Sequence, residues 1–480
     1  MSEDLLSLSA AELIEQYRSK RASPVEVTQA ALSRIDRLNP IYNAFALVDA
    51  ERALQDARAS EARWARGAPA GLVDGVPATV KDLIVTEGWP TRRGSLTIDP
   101  NQSWTEDGPP VARLREQGAV FLGKTTTPEF GWKGVTDSPL TGTTVNPWDT
   151  RLTPGGSSGG AAVAAALGFG VLHVATDGGG SIRIPSGFCG LFGFKPTFGV
   201  VPVHPHSGAW TLWHQGPIAR TVSDAELMLQ VIAGNDARDW YRVPSRETEY
   251  ARTAERDARG LRIGYSRTLG YANVDPEVAN LVDQGVHRFE ALGADVEELD
   301  LALEDPIAIM QPLWSVALAL AIEPMTPHQR SLVDPPLLDL AAPGLTMSAI
   351  EYRRIEQRRE AFARRMCWLH RDYDLLITPQ LAVPAFETGT EVPRGTGRTR
   401  WWEWSPFTYP FNLSQQPAAT VPCGFTRTGL PVAMQVVGDK FADAKVLQAA
   451  RAYEAAHPFR MPQVSNAAAA TRPMVAPTRA

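Results

Sequence analysis

Three glycines in a row followed by a serine, within TDGGGSIRIPS from Thr176 to Ser186, constrain this chain more than any other feature. Glycine lacks Cβ, so such a run either makes a tight turn between a strand and a helix or turns successive backbone N–H groups toward a ligand. Acyl transfer needs the second arrangement, with donors fixed where negative charge develops on a tetrahedral intermediate. Ser181 is then the candidate nucleophile, and the amides of Gly178, Gly179, Gly180 and Ser181 are the candidate donors. Taken alone, the run leaves turn and oxyanion site both open.

Two further motifs bear on that choice. TPGGSSGG, from Thr153 to Gly160, precedes an alanine-rich helix expected over Ala161 to Leu167. It satisfies GxSxG on Ser157 or Ser158, but a nucleophile elbow follows a buried strand, which Arg151, Thr153 and Pro154 do not make. The third motif, GVPATVKDLIV from Gly75 to Val85, is an apolar strand-like run carrying Lys81 with Asp82 beside it. A lysine there is either paired with a carboxylate or buried and neutral, since burial disfavours the ammonium form and frees the amine to act as a base.

In this order, the lysine, GGSSGG and DGGGSIRIPS motifs resemble the amidase signature family. The resemblance extends through LVDGVPATVKDLI, FLGKTTTPEFGW, GLFGFKPTFG and the run from Pro410 to Gly438, and so covers most of the chain. It implies an α/β fold, a three-layer α/β/α sandwich with a large mixed β-sheet. It also implies a catalytic set of Lys81, Ser157 and Ser181 in place of a histidine triad, with Ser157 held through a cis peptide bond. Protons would pass from Ser181 to Ser157 to neutral Lys81, Gly178, Gly179 and Gly180 would hold the oxyanion, and no metal or organic cofactor would be required. Ser158, Asp177 and Arg183 match supporting positions. Many relatives carry a larger residue at Gly178, so Gly178→Thr or Ile is expected to be tolerated and to shift acyl preference.

Other signals read as structural. GAVFLGKT, from Gly118 to Thr125, fits the P-loop pattern, but its spacer is itself an apolar strand and TTTPEF rather than a helix follows. The eight histidines are scattered, with His204 and His206 on a proline-flanked loop expected near a pocket mouth, and no metal site is expected. Three widely spaced cysteines, Cys189, Cys367 and Cys423, fit buried free thiols in a reducing compartment. Trp132, Trp210, Trp213, Trp314 and Trp402 are candidate substrate contacts, with Trp401 and Trp404 in the same aromatic cluster as Trp402.

At 480 residues and 44% hydrophobic content the chain can bury a large core, and a net charge of −6 without a basic stripe disfavours nucleic acid as a partner. No apolar run of membrane-spanning length occurs, and the acidic start MSEDLL is unlike a secretory leader, so a cytoplasmic protein without a membrane partner, monomeric or homodimeric, is expected. Residues 1–65 read as helices packed on the core, with capping boxes at Ser9/Glu12 and Ser23/Glu26, and Val27, Ala31, Ile35 and Leu38 forming an apolar face. Residues 66–465 form one domain with its catalytic core over 71–220, and the tail 466–480 reads as disordered. Substrate-selecting walls are expected near 300–345, on the helix around Ile307 to Ile322, and at 390–410.

The leading functional expectation is an amidohydrolase of apolar or aryl carboxylic amides, with esters and aryl carbamates (urethanase activity) as further substrates. A glutamine-hydrolysing subunit of a tRNA-dependent amidotransferase is the alternative. That function needs charged recognition of a free amino acid, whereas the arginine-rich segment Tyr352 to Arg365 reads as a solvated helix face.

Overall fold

The structure, a computed structural model, describes residues 5–244, 250 and 257–463. The tail 466–480 lies outside the described residues. Thirteen strands occur among them: β1 Phe45–Val48, β2 Pro77–Lys81, β3 Val120–Thr125, β4 Asp137–Ser138, β5 Gly142–Thr143, β6 Leu172–Asp177, β7 Phe192–Lys195, β8 His214–Ala219, β9 Arg262–Tyr265, β10 Asp295–Glu298, β11 Leu375–Pro379, β12 Ala418–Phe425 and β13 Pro431–Gly438. Eleven of them form one mixed sheet in the order β1-β3-β2-β6-β8-β7-β12-β13-β11-β9-β10, and β4 and β5 make a separate hairpin.

Every residue of β2, β3, β6, β7 and β8 is buried. Side chains alternate between the two faces of a strand, so complete burial requires cover on both, and the helices supply the two outer layers of an α/β sandwich. Helix Gly159–Ala166, with sequence GGAAVAAA, is buried throughout because its small side chains let it lie close to the strands.

Local signals hold well at the N-terminus. Both capping boxes form, at Ser9/Glu12 and Ser23/Glu26, and Val27, Ala31, Ile35 and Leu38 are buried as one face. The segment is not wholly helical, however. Phe45–Val48 forms β1 and pairs antiparallel with β3 at the sheet edge. Four residues between two long helices are too short for a periodic signal, and the open edge of β3 decides their conformation.

β2 and β6 are parallel neighbours, with Val80 in register with Val174. Lys81 and Asp177 therefore stand at the carboxyl ends of adjacent parallel strands, where open α/β sheets bind ligands.

Candidate active site

Four segments converge there: the end of β2, the loop 153–158, the glycine loop after β6, and residues 408–412. Lys81 is fully buried, and its Nζ lies 2.7 Å from Ser157 Oγ, 2.8 Å from Ser158 Oγ and 2.9 Å from Thr176 Oγ1. No carboxylate among the described residues pairs with it. Asp82, its neighbour in sequence, instead faces Lys124 at 3.7 Å. Burial holds the Lys81 amine well below the ordinary lysine range, against the opposing pull of Asp177. The Gly156–Ser157 peptide bond is cis.

Ser181 is the most accessible of the three candidate residues, at 8% exposure against 1% for Ser157 and none for Lys81. Its carbonyl accepts the Ser158 amide at 3.2 Å, which ties the two serine loops together. Its own hydroxyl makes no hydrogen bond among the described residues, so the two loops meet there through the backbone of Ser158 and Ser181, and Ser157 and Ser181 are not joined through their side chains.

The glycine loop is held from below by Asp177. Its carboxylate accepts the amides of Gly180 at 2.8 Å and Ile182 at 3.1 Å, both from Arg183 at 2.9 Å, and Asn412 Nδ2 at 2.8 Å. Burial alone would raise the Asp177 carboxyl, but the Arg183 ion pair prevails and holds it far below the usual carboxylate range. Arg183, also fully buried, is completed by Thr408 O at 2.8 Å, Gln435 Oε1 at 2.7 Å and Asn412 Oδ1 at 2.6 Å.

One expectation changes here. The Gly180 amide is committed to Asp177 while the Gly179 carbonyl accepts Thr408 Oγ1 at 2.6 Å, so the peptide plane between these glycines is pinned from both sides. Gly180 sits at φ +129°, a region that side chains disfavour. Among the described residues, the loop amides without an acceptor are those of Gly178, Gly179 and Ser181, while the Gly180 amide is spent on holding the loop to Asp177.

A cleft of about 190 Å³ abuts this loop, walled by Leu83, Phe130, Trp213, Trp314, Ala317 and Leu318. Two contacts fix its position. A Cβ on Gly178 would lie 3.0 Å from Trp314 and 3.4 Å from Trp213, and one on Gly131 would meet Leu83 at 2.8 Å and Ser157 Oγ at 3.2 Å.

Of the tryptophans proposed as substrate contacts, Trp213 and Trp314 line the cleft; Trp132, Trp210 and Trp402 do not. Trp132 is fully buried, bonding Asp334 through Nε1 at 3.1 Å and accepting Trp314 Nε1 on its carbonyl at 3.1 Å. Trp210 is exposed and donates to Tyr241 at 2.6 Å, while Trp402 packs edge-on against Trp401 at 5.4 Å between ring centroids. Trp401 is the cluster member at the loop, since a Cβ on Gly179 would lie 2.7 Å from its ring. Helix Ile307–Ile322 does supply a wall, through Trp314, Ala317 and Leu318. His204 and His206 line the cleft mouth, as expected of their loop.

Gly178 is tighter than its sequence context implied. A methyl group there requires Trp314 to retreat by a few tenths of an ångström, and a β-branched side chain requires more. Gly178→Ala is expected to fold and to lower kcat/KM for aryl acyl groups more than for acetyl, whereas Gly178→Ile costs up to about 10²-fold by displacing the wall. The benzoyl-to-acetyl ratio on matched anilides checks this, and an unchanged ratio in both variants would refute it.

Arg359, within the arginine-rich helix Ala349–Leu369, is buried against Leu413 O and Thr211, while Arg353, Arg354, Arg358, Arg364 and Arg365 are exposed. None of these lines the cleft. Lys124, the lysine of the rejected P-loop, is buried and bonds Ile84 O and Thr91 Oγ1, each at 2.7 Å. Among the described residues no helix is long and apolar enough to cross a membrane.

With this geometry in view, comparisons with known proteins agree on the class. The Amidase family model matches residues 26–447, and the chain belongs to the amidase signature family. It is 37% identical to an acylamidase from Rhodococcus erythropolis, over 94% of this chain and 96% of that one. It is 35% identical to a glutamyl-tRNA(Gln) amidotransferase subunit from Myxococcus xanthus, over 95% and 98%. Among solved structures, a bacterial aryl acylamidase of the same family superposes with a TM-score of 0.88 at 29% identity, covering 94% of this chain and 96% of that one. The protein is an amidase signature amidohydrolase.

Proposed function

We propose that this protein is an acylamidase that hydrolyses linear amides bearing apolar or aryl groups, through an acyl-enzyme on Ser181. The observation that carries the reading is Lys81, buried without a carboxylate partner among the described residues and bonded to Ser157, beside a cleft walled by Trp213 and Trp314.

Hydrogen-bond bookkeeping supports the direction of proton flow. Ser158 spends its hydroxyl hydrogen on Thr176 O at 3.2 Å, so it accepts from Lys81. A neutral amine has two N–H donors and one lone pair; with Ser158 and Thr176 accepting, the lone pair receives the hydrogen of Ser157. Ser157 Oγ then presents its own lone pairs to the proton of Ser181. The Ser181 hydroxyl makes no hydrogen bond among the described residues, so the relay requires it to turn toward Ser157 Oγ.

Attack of Ser181 Oγ on the carbonyl carbon forms the tetrahedral intermediate, whose oxyanion the amides of Gly178, Gly179 and Ser181 receive. The proton returns through Ser157 to the departing nitrogen, and water hydrolyses the ester by the reverse route. Esters and aryl carbamates present the same planar carbonyl and are further candidate substrates. The substrate is a small molecule, and the protein works in the cytoplasm.

Hydrolysis of an aryl anilide, a primary aryl amide, an aryl carbamate and glutamine by wild type and Ser181→Ala tests the reading. Turnover of the aryl amides that falls by on the order of 10⁶-fold in Ser181→Ala is the expected result. Ammonia release from glutamine alone would instead place the chain with the amidotransferase subunits it resembles.

A further inference from the structure

We propose that the cleft contains a carboxylate subsite at Arg93, so that the preferred amide carries an anionic group together with its apolar or aryl part. This subsite rests on the amidohydrolase reading above and names the substrate class within it.

Arg93 lines the same cleft as Leu83, Trp213 and Trp314. It is half-buried, yet its guanidinium makes no hydrogen bond or ion pair with any described residue. The chain treats comparable arginines differently: Arg115 is paired with Asp107 at 2.6 Å, and Arg183 with Asp177 at 2.9 Å. Asp82, the carboxylate whose field reaches Arg93, is already committed to Lys124 at 3.7 Å and to the amides of Arg92 at 3.2 Å and Gly94 at 3.4 Å. The carboxylates beside the mouth are also occupied. Glu106 faces His204 at 3.5 Å and Arg238 at 3.8 Å, and Asp239 faces His206 at 3.2 Å while capping the amides of Val203 and Tyr241. A partly desolvated guanidinium without a protein partner costs free energy that an incoming carboxylate recovers through its bidentate fork.

Gln215 is an independent second observation. It lies on β8 opposite Thr176, lines the cleft, and is only 4% exposed, yet its Oε1 has no hydrogen-bond partner among the described residues. Buried side-chain amides are ordinarily satisfied, so this acceptor oxygen marks a position that a donor on the substrate, such as its amide N–H, completes while the substrate's anionic end faces Arg93. One cation without a partner and one unsatisfied acceptor, beside an apolar wall of Leu83, Phe130, Trp213 and Trp314 and a polar mouth at His204, His206 and Ser207, describe a substrate that is apolar along part of its length and charged at one end.

Two matched pairs test the subsite: 4-acetamidobenzoate against 4′-methylacetanilide, with the charge on the amine side, and succinanilic acid against butyranilide, with the charge on the acyl side. The expected result is that kcat/KM of at least one charged member exceeds its neutral match by about tenfold or more in wild type. In Arg93→Gln that ratio collapses through KM, and Arg93→Lys restores part of it. The pair that responds identifies which side of the scissile bond faces Arg93. Equal kcat/KM within both pairs, or a ratio unchanged in Arg93→Gln, overturns the subsite. If none of the four compounds is turned over, the acylamidase reading fails separately, and the subsite is read by calorimetric binding of the same four compounds to Ser181→Ala. Tighter binding of a charged member that Arg93→Gln abolishes supports it, and equal affinities overturn it.

Discussion

Lys81→Met is expected to lower kcat/KM for an aryl amide by about 10²–10⁴-fold, the range that one positioned general base contributes. Methionine retains the length of the lysine stem and removes only the nitrogen that links Ser157, Ser158 and Thr176. A purely structural lysine would produce a loss of stability with little change in kcat per folded molecule. The pH profile separates the two further. In the proposed relay the active form is the neutral amine, so kcat/KM is expected to rise with pH as Lys81 releases its proton. Because burial holds this group well below the ordinary value of about 10.4, the rise is complete well before that pH. A profile still climbing toward pH 10 would overturn the assignment.

Stability provides the matching sign test. The folded-state pKa of Lys81 is depressed, so between it and about 10.4 the unfolded chain binds a proton that the folded chain does not. In that window this lysine makes unfolding progressively harder as pH rises. The Tm difference between wild type and Lys81→Met should therefore move in favour of wild type from pH 7 to pH 10.

Arg183→Met should be the most destabilising single change near the site, by about 3–5 kcal/mol, because it leaves the Asp177 carboxylate buried and charged without its counterion. The consequence reaches catalysis through the loop. Asp177 fixes the Gly180 and Ile182 amides, and those two bonds set the direction of the amides of Gly178, Gly179 and Ser181. Residual folded protein should therefore show reduced kcat with KM less affected, and urea unfolding beside single-turnover kinetics would measure both. Asp177→Asn keeps the shape but weakens the acceptor, and should fall between wild type and Arg183→Met. An Arg183→Met enzyme of wild-type stability and kcat would show that this ion pair does not organise the loop.

How much was legible beforehand depended on how local each signal was. The capping boxes at Ser9/Glu12 and Ser23/Glu26 are written within a few residues, and both form where the pattern indicates. The same holds for the three chemistry-bearing motifs, since a glycine run, a serine pair and a lysine in an apolar strand each carry their physical constraint in consecutive residues. β1 was not legible, because Phe45–Val48 takes its conformation from the edge of β3.

The sequence by itself determined the family and, through that resemblance, the sheet-based architecture and the candidate residues Lys81, Ser157 and Ser181, because the motifs that carry the resemblance are properties of short segments. Only the tertiary structure decided that Gly180 is spent on Asp177, that Arg183 is completed by Thr408, Asn412 and Gln435 more than 200 residues away, and that Trp213 and Trp314 face the cleft while Trp132 and Trp402 do not. The same holds for Arg93 and Gln215, ordinary as letters, which stand out only once every neighbouring carboxylate and amide has been assigned a partner. Hydrogen-bond satisfaction and packing are settled between residues that meet in space, and a side chain's role there is defined by which partners remain for it after the others have been taken.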